Sequence, residues 1–356
     1  MQGKKIAYLM NVEWNWIKQR PHFLAQELGR DNRVTVFYPH RYRRSQMQKR
    51  NETALHLVPV YGIPFLGRFP KLAGINTALR NFVIRCRIKR QQPDLIYTTF
   101  PDQIGAIPKS YRGKVVYDCM DNYPEFTDDT KAQQTICRQE QALLSRAAAV
   151  FVSSLRLREN LCRRYGCKEN EITLVRNGFN GARIAPQPKQ KDTGFFDICY
   201  FGTVSSWFDF NNVLAGLKQY PDIRFILYGP AEVPIPSHER LIYRGIVEHA
   251  QLYESVRDTD CLIMPFVVNE LILAVDPVKL YEYINFNKPI ICCRYPEVER
   301  FASFVEFYTD CDSFLQAIAA VKSQEAPKYS QQQRIEFLQD NSWSGRAEII
   351  KAVLDF

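Results

Sequence analysis

Short apolar runs rich in β-branched residues recur along this 356-residue chain, each followed by a stretch with helical spacing. That alternation constrains the fold more than any other feature. The first set of runs falls at 6–12, 33–38, 55–60, 94–98, 114–119, 150–153 and 172–175. A second falls at 198–201, 224–228, 241–243, 261–264, 290–293 and 305–308, and three helical stretches close the chain. Strands that are apolar throughout, separated by helices, belong to parallel sheets covered on both faces. Between the two sets lies the polar, Pro-bearing stretch 185–194, the best linker in the chain. The fold class expected is α/β, with one parallel-sheet domain over 1–185 and a second over 186–356. The last helix is placed to return to the first domain.

The length supports two full cores, and a hydrophobic content of 46% excludes disorder. No apolar run approaches the roughly 20 residues of a membrane span. The opening run 6–12 is too short for a signal peptide and reads as a strand. Ten Cys without C-x-x-C spacing, mostly within apolar strands, indicate reduced, cytoplasmic usage rather than a disulfide or zinc framework. The charge is lopsided: residues 1–185 carry 31 Lys and Arg against 15 Asp and Glu, the remainder 16 against 23. A basic half beside an acidic one suggests that the first domain faces something anionic.

Polar residues enter an apolar stretch at chemically suggestive spacing in MPFVVNELILAVDPVKLYEYINFNKPII, residues 264–291. Asp276-Pro277 reads as an N-cap and first helical residue, and Lys288-Pro289 as the stop. Leu280, Tyr281 and Ile284 fall on one side of that helix, with Lys279 and Glu282 on the other. On spacing alone this pair reads as an exposed helical ion pair. The same spacing also sets a cation and a carboxylate near a helix N-terminus beside a strand's C-terminal end, where open α/β sheets bind anions.

The word Pro-Val-Lys-Leu-Tyr-Glu-Tyr, following Pro265-Phe266 and Asn269-Glu270-Leu271, resembles the donor segment of nucleotide-sugar glycosyltransferases. The relatives it resembles are the bacterial capsule and teichuronic-acid type, similar to glycosyltransferase family 4. The resemblance implies a GT-B fold: two Rossmann-like domains facing a central cleft. It implies that Lys279 binds the donor diphosphate and Glu282 the ribose hydroxyls, with Asn269, Glu270 and Tyr281 as further donor contacts. The frequent E-x7-E pattern would place a Glu at 274, where this chain has Ala274. Glu270 is the substitute expected.

Gly202-Thr203 opens a loop between a strand and a helix; it suits backbone donation to a phosphate, or a plain turn capped by Asp209. The resemblance favours the donor role, although the loop lacks the cation of many relatives. Tyr228-Gly229-Pro230 suits a base pocket or a turn. Asp118 and Asp121 stand at and beyond a strand's C-terminal end, where a carboxylate can take a proton from an acceptor hydroxyl. Asp121 is the first candidate for base, and Asp118 the second. Trp14 and Trp16 suit sugar stacking or an apolar acceptor tail. Arg20 and His22, in a Gln-Arg-Pro-His word similar to the family's first helix, are candidate phosphate or acceptor contacts. Asp310-Cys311-Asp312 imitates a metal-binding motif but precedes a helix, so capping explains it better. No metal and no cofactor are expected.

The function expected is transfer of a sugar from an NDP-sugar to a lipid-linked or polysaccharide acceptor in bacterial cell-surface glycan synthesis. The setting expected is the cytoplasm, with an anionic membrane surface as partner for the basic half. That surface would use 41–50, the Phe-bearing loop 61–70, and Arg80, Arg85, Arg87, Lys89 and Arg90. A non-catalytic donor-binding subunit and a nucleotide-sugar epimerase of the same fold are the alternatives. Nucleic-acid binding has only the charge in its favour and is not expected.

Overall fold

The computed structural model describes residues 3–40, 55–64, 73–179, 181, 183–185, 189, 194–247, 249–324 and 326–356. Residues 41–50, most of 61–70 and most of the linker 185–194 lie outside them. The chain divides into two compact units, one of Met1–Asn177 with Trp343–Phe356, the other of Gly178–Ser342.

In the first unit the order is β1 (Lys5–Leu9), α1 (Arg20–Leu28), β2 (Arg33–Pro39), β3 (His56–Val60), α2 (Ala73–Gln91), β4 (Leu95–Thr98), β5 (Lys114–Cys119), α3 (Thr130–Leu144), β6 (Ala149–Val152), α4 (Leu155–Tyr165) and β7 (Ile172–Leu174). The strands form one parallel sheet in the order β3-β2-β1-β4-β5-β6-β7. The chain order reverses between β1 and β4, and ligands of open α/β sheets bind beyond the strand ends at such a switch point. The central strands are buried on both faces, which is why their sequences run apolar without alternation.

The second unit contains β8 (Phe196–Phe201), α5 (Phe210–Gln219), β9 (Ile223–Tyr228), β10 (Leu241–Gly245), α6 (His249–Arg257), β11 (Cys261–Met264), α7 (Val278–Asn285), β12 (Ile290–Cys293), β13 (Glu306–Tyr308), α8 (Cys311–Lys322) and α9 (Gln331–Asp340). Its parallel sheet runs β10-β9-β8-β11-β12-β13, with the switch between β8 and β11. The last helix, α10 (Trp343–Leu354), belongs to the first unit. Trp343 is buried there and stacks on Phe23 of α1 at 5.3 Å. All ten cysteines are free thiols.

Caps fix several helix starts. The Ser154 Oγ accepts from the Leu157 N–H at 3.1 Å, and Asp209 from the Asn212 N–H at 3.1 Å. Asp310 accepts from the Ser313 N–H at 2.8 Å in a capping box, so the metal-like word is the start of α8. One expectation is corrected. Asp276 does not cap α7: Pro277 holds the cap position, and the Asp276 carboxylate pairs with Arg300. On α2 the packed side is Asn81, Ile84 and Ile88, whereas Ile75, Leu79, Phe82 and Val83 are exposed. The apolar residues of that helix exceed one face, and the sheet takes only one stripe.

Candidate active site

In the second unit, three segments meet at the switch point. The strand β8 ends at Phe201, and Gly202 follows with φ +145°, its N–H donating to the Tyr228 carbonyl at 2.8 Å. Gly229, after β9, has φ +126°. A Cβ on Gly229 would lie 2.2 Å from the Gly202 carbonyl oxygen, and one on Gly202 would lie 2.0 Å from Lys279 Cε and 2.7 Å from its Nζ. Glycine is therefore required twice, once by backbone against backbone and once by backbone against the lysine stem. Tyr200, buried in β8, sits beneath: its hydroxyl donates to the Thr203 carbonyl at 2.8 Å, and its ring centroid is 5.9 Å from the Lys279 amine. Sequence reasoning did not single out Tyr200, because its alternation reads simply as core.

Lys279 and Glu282 are half-buried on the first turns of α7. Burial lowers the Lys279 pKa, against the pull of the Glu282 charge. Burial pushes Glu282 up to about 7, with Lys279 pulling it down in part. Burial disfavours both charged forms, so a bound anion would favour the Lys279 cation, and hydroxyl donors would favour the Glu282 carboxylate. The loop from Thr203 to Asp209 is fastened on both sides. Val204 donates to Pro230 at 2.8 Å, Asp209 to Pro265 at 2.9 Å, and the Ser205 hydroxyl to Glu232 at 2.9 Å.

Other expected donor residues stand differently. Tyr281 is fully buried; its hydroxyl accepts from Arg300 at 2.7 Å and donates to Asp276 at 3.2 Å, so it braces the helix rather than a ligand. Asn269 is exposed, and its Oδ1 accepts from the Ile272 N–H at 3.0 Å, shaping the turn that carries exposed Glu270. Ala274 is 1% exposed, so position 274 is packed and closed as well as lacking a carboxylate. Tyr228 is half-buried, with its hydroxyl directed at the Ser255 carbonyl at 3.3 Å.

In the first unit, Asp118 and Arg20 form a buried pair. The Arg20 Nε lies 3.1 and 3.0 Å from the two Asp118 oxygens, and Nη2 donates to Oδ1 at 2.7 Å. Its Nη1 donates to the Val175 carbonyl at 2.7 Å and reaches the Arg176 carbonyl and Asn177 Oδ1. Both residues are at most 2% exposed. This corrects two expectations: Arg20 has its donors engaged internally, and Asp118 is neutralised out of reach of an acceptor. Removing the guanidinium leaves an uncompensated buried carboxylate, so Arg20→Ala is expected to lose about 3–5 kcal/mol in urea unfolding. Arg20→Lys should recover little, because an ammonium cannot reproduce the fork. An Arg20→Ala protein of unchanged stability would contradict this structural role.

Trp14 is also corrected, being 7% exposed and packed 5.1 Å from the His22 ring and 6.5 Å from Tyr38. His22 is buried; its Nδ1 accepts from the Gln19 N–H at 3.1 Å at the start of α1, and burial lowers its pKa to about 4. It is a neutral capping residue at physiological pH. Trp16 is half-exposed. Asp121 differs from Asp118: it is half-buried in the loop beyond β5, and burial raises its pKa to about 6, with Arg20 opposing. Among the described residues no cluster of three or more metal-ligating groups occurs.

The sequence model of Glycosyltransferase Family 4 matches residues 22–183. TuaH of Bacillus subtilis (strain 168), a protein assigned to teichuronic acid biosynthesis as a glycosyltransferase, is 22% identical over 227 residues. That match covers 58% of this chain and 57% of TuaH, so the chain spans little more than half of its curated relative. Sucrose-phosphate synthase from Thermosynechococcus elongatus superposes with a TM-score of 0.72 at 13% identity, over 99% of this chain and 98% of that one. Anabaena HepE, solved with UDP and glucose, gives 0.65 at 16% identity over 99% of each chain. Over its whole length the chain has the GT-B fold of these structures, and over residues 22–183 it is similar to glycosyltransferase family 4.

Proposed function

We propose that this protein transfers a sugar from a nucleoside-diphosphate sugar, UDP-linked in the first instance, to a glycan or lipid-linked acceptor of a bacterial surface polysaccharide. The observation that carries the reading is the Lys279 amine lying against Gly202 at the β8/β11 switch, with Glu282 one turn on. A diphosphate there would accept from the amine and from backbone N–H groups, while the carboxylate receives ribose hydroxyls. As the sugar–phosphate bond breaks, Lys279 stabilises the charge on the departing diphosphate. Asp121 serves as the base for the acceptor hydroxyl. The diphosphate's charge is met by Lys279, and turnover is expected to survive EDTA.

The test is a thermal-shift panel of UDP, GDP, ADP and their sugars, followed by hydrolysis or transfer with whichever donor stabilises. Stabilisation by one nucleotide with turnover supports the enzyme. Selective stabilisation without turnover favours a donor-binding subunit, the reading to which closed Ala274 lends weight. No stabilisation by any nucleotide defeats both.

The acceptor is proposed to be presented at an anionic membrane. Ile75, Leu79, Phe82 and Val83 follow helical spacing on the exposed side of α2, whose 19 residues include five Arg and Lys and no acid. Full-length protein is expected to sediment with vesicles containing phosphatidylglycerol at low salt and not with pure phosphatidylcholine. Phe82→Glu should abolish the sedimentation, and equal sedimentation of that variant would overturn the assignment. Among the described residues no helix is long and apolar enough to cross a membrane.

A further inference from the structure

We infer that Arg164 is a positioning residue: anchored on the buried carboxylate of Glu140, it grips Asn122 and so fixes the loop that carries Asp121. The inference rests on the reading of Asp121 as the base.

Glu140 lies on α3 and is 1% exposed. Its Oε1 accepts from the Tyr117 hydroxyl at 2.5 Å, and its Oε2 accepts from the Tyr165 hydroxyl at 2.7 Å. The Arg164 Nη1 stands 3.7 Å from that second oxygen, and Nη2 donates to Asn122 Oδ1 at 3.1 Å. One buried charge thus gathers β5, α3 and the end of α4, and the cation facing it reaches the residue next to Asp121.

Asn122 is 3% exposed and begins the 3₁₀ turn Tyr123–Phe126, yet its side chain makes no capping bond to that turn. It is turned to Arg164 instead. Other anchors of the segment end on backbone carbonyls. The Ser153 hydroxyl donates to the Met120 carbonyl at 3.0 Å, the Cys119 thiol points to the Asp121 carbonyl at 3.6 Å, and the Tyr123 hydroxyl donates to the Thr99 carbonyl at 2.6 Å. The Asn122–Arg164 bond is the side-chain tether with a charged partner, the stronger kind. Glu140 is buried but Arg164 is partly exposed, and a pair of that kind adds little net stability, so a role in fixing geometry suits it.

The charged and titratable groups close enough to act on the Asp121 carboxyl are Arg20 of α1, itself paired with Asp118, Cys119 of β5 and Tyr123 of the 3₁₀ turn. Among the described residues, Arg20 and Tyr123 make no hydrogen bond to Arg164 or Glu140, and Cys119 reaches Glu140 only through a thiol contact of 3.9 Å, so the inferred route from Arg164 to Asp121 is the position of the loop. A loop released toward water lets the carboxyl return toward the ordinary range.

The experiment measures donor turnover from about pH 5 to about pH 9 for full-length wild type, Arg164→Ala, Asn122→Ala, the double variant and Arg164→Lys, using the donor found by thermal shift. Arg164→Ala is expected to lower kcat about tenfold with donor KM within about twofold. The acidic limb of its profile should move below that of wild type. Asn122→Ala should do the same, the double variant no worse than either single, and Arg164→Lys should recover only part of the loss, since one ammonium cannot span Glu140 and Asn122 as the fork does. If Arg164→Ala does not fold, Asn122→Ala carries the test alone. An acidic limb in wild type that both single variants leave in place overturns this inference alone. A fully active Asp121→Asn protein overturns the base reading and this inference together.

Discussion

Lys279→Ala is expected to lower kcat about 10²- to 10³-fold, the range seen when one preorganised group facing developing charge is removed. The side chain is half-buried, with its amine above the Tyr200 ring, so its loss leaves no alternative cation among the described residues of the Gly202–Asp209 loop. Gly202→Ala should be nearly as damaging by another route. The new methyl would sit 2.0 Å from Lys279 Cε on a backbone with φ +145°, displacing the amine and straining the turn together. The check is initial rates with the stabilising donor, alongside thermal melts. Lys279→Ala should keep the wild-type melting temperature within a few degrees. A fully active Lys279→Ala protein would remove the basis for the site.

Asp121→Asn is the second large effect, with turnover expected to fall about 10²- to 10⁴-fold. The wild-type rate should rise with pH through about 6, since the base works only when deprotonated and burial holds its pKa there. Stability should move the opposite way. The folded-state pKa lies above the ordinary 3.8, so the folded protein keeps a proton that the unfolded chain has already lost as pH rises from about 4 to about 6. Across that window the wild type loses stability, and above it the loss is complete. Asp121→Asn avoids that penalty and should be more stable by about 2 kcal/mol at about pH 8, with no gain below about pH 4. Lower activity with higher stability marks a functional acid; a variant losing both would mark a structural one.

The parallel strands were legible because burial on both faces leaves uninterrupted apolar runs, which carry their own boundaries; β5, β11 and β12 fall where the residues suggest. That Lys279 and Glu282 share one side of α7 was legible because they lie three residues apart on the same helix. What escaped reading depends on neighbours remote in sequence. Arg20 and Asp118 are 98 residues apart, and each alone resembles a cleft residue. Trp14 looks like an exposed loop aromatic until His22 and Tyr38 are seen to close on it. Asp276 has the sequence of a cap, but Arg300, 24 residues on, takes its carboxylate. Asn122, Glu140 and Arg164 carry no motif, and only the assembly of β5, α3 and α4 brings them together.

The most direct test of the Lys279 site is isothermal titration of UDP into wild-type protein and into Lys279→Ala at about pH 8, where Glu282 is mostly ionised. Saturable binding by wild type, weakened about 10- to 100-fold in the variant, is the expected result. Equal affinity of the two proteins for UDP would contradict the assignment of the diphosphate to Lys279.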